Sequence, residues 1–305
     1  MRTPLRIDSH QHFWRYNEAE YGWITPALGE IRRDFTPADL AGPLAAAGLH
    51  GSIAVQARSS VAETHALLDL ARETEGSPAP ILGVVGWLDL LAPDVERDLE
   101  GLVSDGTSAG GSVAHASGGG GRGQLVGVRH IVQDEPDDRF LDRPDFRRGV
   151  RAAVERGLVY DLLIYPRQLP AALDFVRALD GAPIVLDHCA KPPLRAGHGT
   201  PEMADWARGV RALGRAPHVA CKVSGLVTEA DWARWRDEDL LRCIDIVRDA
   251  FGPRRVMFGS DWPVALLAAP YERVYGLVER ALAGASEDER AQFFGGNAAR
   301  IYGLG

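Results

Sequence analysis

The chain has 305 residues, of which 46% are hydrophobic and 25% are charged, and its formal net charge is −8. This composition is ordinary for a folded globular protein and excludes wholesale disorder. The acidic balance argues against nucleic acid or an anionic membrane as the main partner, because both attract basic surfaces. No apolar run approaches the roughly 18 residues needed to span a bilayer.

The sequence also predicts a reduced, cytoplasmic protein. Met1–Arg6 lead directly to the acidic Asp8 with no apolar stretch, so no signal peptide is predicted. The cysteines are too few and too scattered for a disulfide framework: Cys189, Cys221 and Cys243. The sequence leaves open whether the protein forms a homo-oligomer.

Short apolar runs alternate with amphipathic segments along the whole chain. Eight of the runs are predicted strands: Leu5–Ser9, Gly51–Gln56, Ile81–Gly86, Leu125–His130, Leu158–Ile164, Pro183–Asp187, His218–Val223 and Val256–Gly259. The main predicted helices are Pro37–Ala47, Ser60–Thr74, Arg143–Arg156, Leu169–Leu179, Glu202–Leu213 and Leu240–Ala250. Thr36 before a proline, and Ser286 three residues before Glu289, are typical of helix starts.

Strands that alternate with helices are typical of parallel sheets built from βαβ units. Eight such strands in 305 residues predict a single α/β domain, a (β/α)8 TIM barrel spanning residues 1–305. A doubly wound sheet is disfavoured, because no G-x-G-x-x-G turn follows the first strand. The Gly- and Ser-rich stretch Ser104–Gln124 is predicted to be a flexible insertion, with an interdomain linker as the alternative.

His10 and His12 give the strongest local signal for chemistry. Alternate residues of a strand face the same side, so both imidazoles point the same way, about 6.6 Å apart along the chain. Two converging imidazoles can hold one divalent metal or polarise a carbonyl group. A bare H-x-H pair at a strand end also occurs without any ligand.

Further polar residues fall at the predicted ends of other strands. His188 follows the sixth strand and Asp261 follows the eighth, and in a (β/α)8 barrel these ends meet at the mouth that holds catalytic groups. Arg129, His130 and Lys222 close the fourth and seventh strands and are candidate substrate-binding residues.

Each candidate contact also has a structural interpretation. Arg129 and Lys222 are equally compatible with salt bridges to Asp161 or Asp187 inside the mouth. Trp23 and Trp262 are candidate walls for a sugar ring, and packing in the core is the alternative. Cys189 is predicted to pack outside the mouth rather than to bind a metal, because it is adjacent to His188 and faces the other way. The remaining histidines are predicted to lie on the surface or in loops: His50, His65, His115, His198 and His218.

Seven segments together carry a resemblance to a known family: HQHFW, GVRHIVQDEPD, YDLLIYPRQL, VLDHCAKP, KVSGL, MFGSDWPV and NAARIYGL. In that order they resemble the amidohydrolase superfamily, in particular its branch of amidohydrolase-related lactonases. The resemblance runs from about His10 to Tyr302, which is nearly the whole chain. It implies a distorted (β/α)8 barrel that hydrolyses a sugar-acid lactone, such as L-fucono- or L-rhamnonolactone.

The resemblance also implies roles for individual residues. His10, His12, His188 and Asp261 correspond to the family's metal and catalytic positions, with Asp261 as general base. The cofactor is then one divalent ion, zinc or manganese, although some relatives work without a metal. A two-metal site is disfavoured, because Arg129 stands where a carboxylated lysine would close the fourth strand.

Two other functions remain open at this stage. One is a metal-dependent decarboxylase of a small unsaturated or aromatic acid on the same scaffold. The other is a non-catalytic protein that binds sugar acids, which the intact H-x-H pair and Asp261 disfavour.

Overall fold

Eight parallel strands curl into a barrel in the computed structural model, which describes residues 4–107 and 124–304. The strands are β1 (Ile7–Gln11), β2 (Gly51–Val55), β3 (Ile81–Gly86), β4 (Gln124–His130), β5 (Val159–Leu162), β6 (Ile184–Leu186), β7 (Val219–Val223) and β8 (Val256–Phe258). They pair in chain order from β1 to β8, and every pair is parallel. The predicted (β/α)8 barrel is confirmed.

Helices follow the strands on the outside of the barrel. They are α1 (Pro37–Ala46), α2 (Val61–Glu73), α3 (Val95–Thr107), α4 (Pro144–Glu155), α5 (Leu169–Ala178), α6 (Pro201–Gly214), α7 (Leu226–Glu229), α8 (Asp237–Phe251), α9 (Tyr271–Ala281), α10 (Glu287–Ala291) and α11 (Asn297–Ile301). The Ser286 hydroxyl accepts a hydrogen bond from the Glu289 backbone N–H (3.3 Å), so the predicted start of α10 is confirmed. None of the helices in the described part of the chain has the length and apolar character needed to cross a bilayer.

An apolar layer fills part of the barrel interior. All eight strands and the C-terminal segment contribute to it: Ile7, Ile53, Val55, Leu82, Val85, Val126, Val159, Val185, Ala220, Met257, Ala298 and Tyr302. Side chains alternate along a strand, so a residue two positions after an interior residue also faces the interior. Three polar residues stand two positions after Val159, Val185 and Ala220 of this layer. Those residues are Asp161, Asp187 and Lys222, and all three are fully buried. The barrel therefore carries charge directly beside its apolar layer.

The barrel closes at a seam between β1 and β8. The His10 carbonyl accepts the Asp261 N–H (2.8 Å), and the Trp262 carbonyl accepts the His12 N–H (2.7 Å). The seam therefore joins the segment that carries the H-x-H pair directly to the segment that carries Asp261.

Most of the predicted flexible insertion lies outside the described residues. At its edges, α3 continues to Thr107 and β4 begins at Gln124.

Candidate active site

The carboxyl ends of the strands open into a cavity of about 310 Å³. This is the end of the barrel that carries catalytic groups in proteins of this fold. Several of the predicted site residues line it: His12, Trp23, Arg129, His188 and Asp261. His10 is fully buried beside them.

One carboxylate oxygen lies close to three imidazoles. Asp261 Oδ1 is 3.4 Å from His12 Nε2, 3.9 Å from His10 Nε2 and 3.9 Å from His188 Nε2. The ends of β1, β6 and β8 thus bring these four residues together, in the arrangement that their positions in the sequence predict.

A hydrogen bond orients the imidazole of His12, and an ion-pair contact with a carboxylate orients that of His10. His12 Nδ1 lies 2.7 Å from the Val55 carbonyl oxygen, and His10 Nδ1 lies 3.3 Å from Asp187 Oδ1. A carbonyl oxygen can only accept, so Nδ1 of His12 carries the proton. A guanidinium can only donate, so the contact from Arg129 Nη1 to His10 Nε2 (3.3 Å) places the proton of His10 on Nδ1 as well. His12 Nε2 then turns an unprotonated lone pair towards Asp261, and His10 Nε2 lies between Arg129 Nη1 and Asp261.

His188 reaches the cavity from an unusual backbone turn. His188 to Lys191 have φ values between 50° and 54°, so four consecutive residues are left-handed. The turn directs His188 Nε2 towards Asp261, while its Nδ1 lies 2.9 Å from Ser224 Oγ. Gly225 follows with φ of +62°, and a Cβ there would come within 2.6 Å of His188 Nδ1 and 3.1 Å of Asp261 Oδ2. The glycine of the KVSGL segment therefore leaves the room that both side chains need.

His10, His12 and Asp261 together have the spacing of a divalent metal site, and His188 lies beside them. Burial lowers the pKa of His10 and of His188 well below the usual value, so both imidazoles are neutral. Neutral imidazole nitrogens facing a carboxylate form a set of acceptors that needs a cation between them. Zinc–ligand bonds of about 2.0–2.1 Å in a tetrahedron place neighbouring ligand atoms about 3.3 Å apart, close to the separations around Asp261.

Arg129 forms the wall of the cavity next to His10. Its Nη1 is 2.9 Å from Asp187 Oδ2 and 3.3 Å from His10 Nε2, and its Nη2 donates to the Gln56 carbonyl oxygen (2.5 Å). The sequence leaves open whether Arg129 forms a salt bridge or lines the cavity, and the structure shows that it does both. Among the described residues, Arg129 Nε has no hydrogen-bond partner although it is buried.

The structure corrects the predicted substrate contact of Lys222. Its side chain is fully buried, forms an ion pair with Asp161 and lies 3.3 Å from Asp187 Oδ1. A lysine enclosed in this way cannot reach a substrate in the cavity.

The predictions that His130 and Trp262 contact the substrate are also corrected, each for a different reason. Arg129 faces the interior, so the next residue of β4 faces outwards. There His130 stacks on Phe140 and lies 2.7 Å from the Glu135 carboxylate. Trp262 is only 4% exposed and packs edge-on against Phe35, at 5.1 Å between ring centroids. Both side chains belong to the packing around the mouth.

Sequence reasoning missed residues that line the cavity from the segments after the strands: Arg58, Gln133, Asp134, Lys191 and Thr228. Gln133 and Asp134 lie in the segment GVRHIVQDEPD and Lys191 lies in VLDHCAKP, so three of the five stand in segments that carry the family resemblance. Sequence reasoning also missed Glu63, a buried carboxylate that accepts the backbone N–H groups of Ala57 and Arg58, each at 2.9 Å. Burial raises the pKa of Glu63. Glu63 thus holds in place the loop that carries Arg58.

Cys189 packs outside the mouth, as predicted, with its sulfur 3.4 Å from the Lys222 carbonyl oxygen. Of the histidines predicted to lie on the surface or in loops, His50 and His65 are exposed, and His198 and His218 are partly buried. His115 falls outside the described residues.

Comparison with known proteins identifies the family. Residues 7–304 match the sequence profile of the amidohydrolase family. The chain belongs to the amidohydrolase family. This amidohydrolase is 46% identical to the L-fucono-1,5-lactonase of Burkholderia multivorans, over 98% of this chain and 96% of that protein. The family predicted from the sequence is confirmed.

Two other relatives agree with this assignment. The L-fucono-1,5-lactonase of Burkholderia ambifaria is 36% identical over 98% of this chain and 95% of that protein. A crystal structure of an amidohydrolase from Burkholderia multivorans with bound zinc superposes with a TM-score of 0.87 at 44% identity, covering 99% of this chain and all of that chain.

Proposed function

We propose that this amidohydrolase is a lactonase that opens a sugar-acid lactone such as L-fucono-1,5-lactone. The observation that carries the proposal is the position of Asp261, which lies on the cavity wall with its carboxylate facing three imidazoles. The L-fucono-1,5-lactonases at 46% and 36% identity support the reaction class.

Lactone opening is acyl transfer to water. A water oxygen bonds to the carbonyl carbon, and the bond from that carbon to the ring oxygen breaks. Asp261 takes the proton of the attacking water and returns it to the leaving ring oxygen. Burial raises the pKa of Asp261, but favourable interactions of the ionised carboxylate, including the nearby positive charge of Lys191, outweigh this effect and keep the pKa below its usual value. The carboxylate is therefore ionised at neutral pH and able to accept a proton.

Arg129 stabilises the charge that develops on the carbonyl oxygen. Its guanidinium is held by Asp187 and Gln56, so it is already oriented before the reaction begins. Arg129 lines the cavity, so its positive charge lies beside the position where an oxyanion would develop. Fixed donors of this kind typically contribute about 3 kcal/mol to transition-state stabilisation.

His10, His12, His188 and Asp261 would hold one divalent ion, zinc or manganese. When bound, such an ion supplies Lewis acidity that polarises the lactone carbonyl. His10, Asp187 and His188 form a second group with suitable spacing. Asp187 is already paired with Arg129 and Lys222, so the group that contains Asp261 is the one with charge left for a metal.

Trp23 would bind the sugar ring. Its side chain is 40% exposed at the cavity and is held edge-on by Trp14, at 5.8 Å between ring centroids. Ile131 and Leu163 add apolar surface to the same cavity, which suits the methyl group of a deoxy sugar.

The decisive experiment replaces Asp261 by asparagine and measures lactone opening with a pH indicator over a panel of aldonolactones. We expect Asp261→Asn to lower kcat by at least about 100-fold, because general-base catalysis is lost. The comparison is Asp134→Asn, which changes an exposed carboxylate of the same cavity and is expected to affect KM more than kcat. Retention of more than about a tenth of the wild-type kcat by Asp261→Asn, or release of carbon dioxide in place of acid alone, would contradict the proposal.

A further inference from the structure

Lys222 lies in a buried charge column inside the barrel, which consists of Asp161, Lys222 and Asp187. All three side chains are completely shielded from solvent. Lysine is almost never fully buried unless it is paired, and Lys222 is paired with both aspartates.

The column leads directly to His10. Asp187 Oδ1 lies 3.3 Å from Lys222 Nζ and 3.3 Å from His10 Nδ1, so the same oxygen faces both groups. The other oxygen, Oδ2, accepts from Arg129 at 2.9 Å. Oδ2 of Asp187 is thus fixed by a hydrogen bond, and Oδ1 lies in ion-pair contact with both Lys222 and His10.

The other end of the column is fixed by Tyr302. Its hydroxyl donates to Asp161 Oδ1 (2.7 Å), and the Lys222 ammonium lies 5.3 Å from the centre of its ring. The Lys222 ammonium group is therefore enclosed by two carboxylates and one aromatic ring, which together fix its position.

The charges of this region balance. Asp161 and Asp187 are opposed by Lys222 and Arg129, which gives two buried anions against two buried cations. Loss of Lys222 alone would leave two buried carboxylates against one cation, and breaking one partner from a buried pair is strongly unfavourable.

We propose that Lys222 is a positioning residue for the imidazole cluster. It holds Asp187 in the orientation in which Oδ1 faces His10 Nδ1 at 3.3 Å, and this contact keeps His10 Nε2 on the side of Asp261. Asp161 and Tyr302 act one step further away, by holding Lys222. The kinetic part of this proposal rests on the proposed lactonase function, whereas the metal-binding part does not.

The test compares three variants: Lys222→Met, Tyr302→Phe and the control Tyr160→Phe. Tyr160 is next to Asp161, and its buried hydroxyl has no hydrogen-bond partner within the described residues, so its loss leaves the column intact. Zinc affinity is measured by competition with a chromophoric chelator, and kcat and KM are measured on L-fucono-1,5-lactone.

We expect Lys222→Met to weaken zinc binding and to lower kcat by about 10- to 100-fold each, the usual range for a group that orients a metal ligand. KM should stay within about twofold, because Lys222 does not touch the substrate. Tyr302→Phe should move both quantities in the same direction by a smaller factor, and Tyr160→Phe should move neither. If Lys222→Met does not fold, Lys222→Met/Asp161→Asn replaces it, since this pair restores the charge balance.

The outcomes separate the two proposals. Unchanged zinc affinity and kcat in the Lys222 and Tyr302 variants, with only a lower melting temperature, would show a merely structural role and overturn the inference. A wild-type protein that binds zinc but hydrolyses no lactone would overturn the proposed function, while weaker zinc binding in Lys222→Met would still support the positioning role. A wild type that neither binds zinc nor hydrolyses lactone would overturn both.

Discussion

Backbone strain in this protein is concentrated at the candidate site. In the chain from residue 4 to 107 and from 124 to 304, the non-glycine residues with positive φ are His188, Cys189, Ala190, Lys191 and Asp261. Left-handed backbone is unfavourable for residues that carry a Cβ, by roughly 1–2 kcal/mol each. The surrounding packing must therefore hold these residues in place, and what the strain achieves is to aim His188 and Asp261 at each other.

At the same scale, Trp23 tests the sugar-binding wall. We expect Trp23→Ala to raise KM for an aldonolactone about tenfold with a smaller change in kcat, because the stacking surface helps to bind substrate and transition state alike. Val61 is the matched control, since it is 38% exposed and lies on α2 away from the cavity lining. An unchanged KM in Trp23→Ala, measured by steady-state kinetics beside Val61→Ala, would remove Trp23 from the binding surface.

At the scale of elements, the seam between β1 and β8 sets the distance between the H-x-H pair and Asp261. Asp8 of β1 accepts the Ser260 N–H (2.9 Å), the His10 N–H (3.2 Å) and the hydroxyl of Tyr271 (3.1 Å). One side chain thus ties β1, the segment after β8 and α9 together next to the site.

The seam makes stability depend on pH. Burial raises the pKa of Asp8 to about 6, above its value in the unfolded chain, so the folded state favours the protonated carboxyl. Ionisation of Asp8 therefore costs stability as the pH rises from the unfolded pKa through the folded one. Asp8→Asn removes this penalty, and we expect its free energy of unfolding to gain about 1–2 kcal/mol relative to wild type between pH 5 and pH 8.

Urea unfolding of both proteins across that pH range measures the difference directly. Parallel stability curves for wild type and Asp8→Asn would show that Asp8 does not titrate in this window.

The order of strands and helices could be predicted from the sequence, because apolar runs mark nearly every strand of a parallel barrel. β1 is the exception: the sequence predicts it at Leu5–Ser9, but it lies at Ile7–Gln11, because the polar residues His10 and Gln11 are not typical of a buried strand. The misplaced His130 follows from ignoring the alternation of faces along β4. The burial of Trp262 depends on Phe35, which is distant in sequence and which no local pattern reveals.

At the scale of the whole molecule, the site is assembled from strand ends that are far apart in the chain. The strand order brings His10, His188 and Asp261 together without further assumptions, which is why the sequence predicts this cluster. The sequence cannot tell which cation neutralises which carboxylate inside the barrel. Asp187 faces both Arg129 and Lys222, and only the geometry of the fold decides that one lines the cavity and the other lies beneath it.

A metal that joins these strand ends should stabilise the entire barrel. We expect removal of divalent ions by a chelator to abolish most of the lactonase activity and to lower the melting temperature, because an ion bound only by the folded state favours that state. Elemental analysis before and after chelation, followed by addition of zinc or manganese, identifies the ion. An unchanged rate and melting temperature in a protein free of metal would remove the Lewis-acid role.

Gly225 has a consequence for the evolution of such proteins. Any side chain at this position would push into the His188 ring and the Asp261 carboxylate, so mutation there is closed to a lineage that keeps its activity. A descendant that carries another residue at this one position should be a pseudoenzyme, even if its histidines and aspartate all survive. A glycine at position 225 is therefore the residue to look for when an active enzyme is to be told from an inactive homologue.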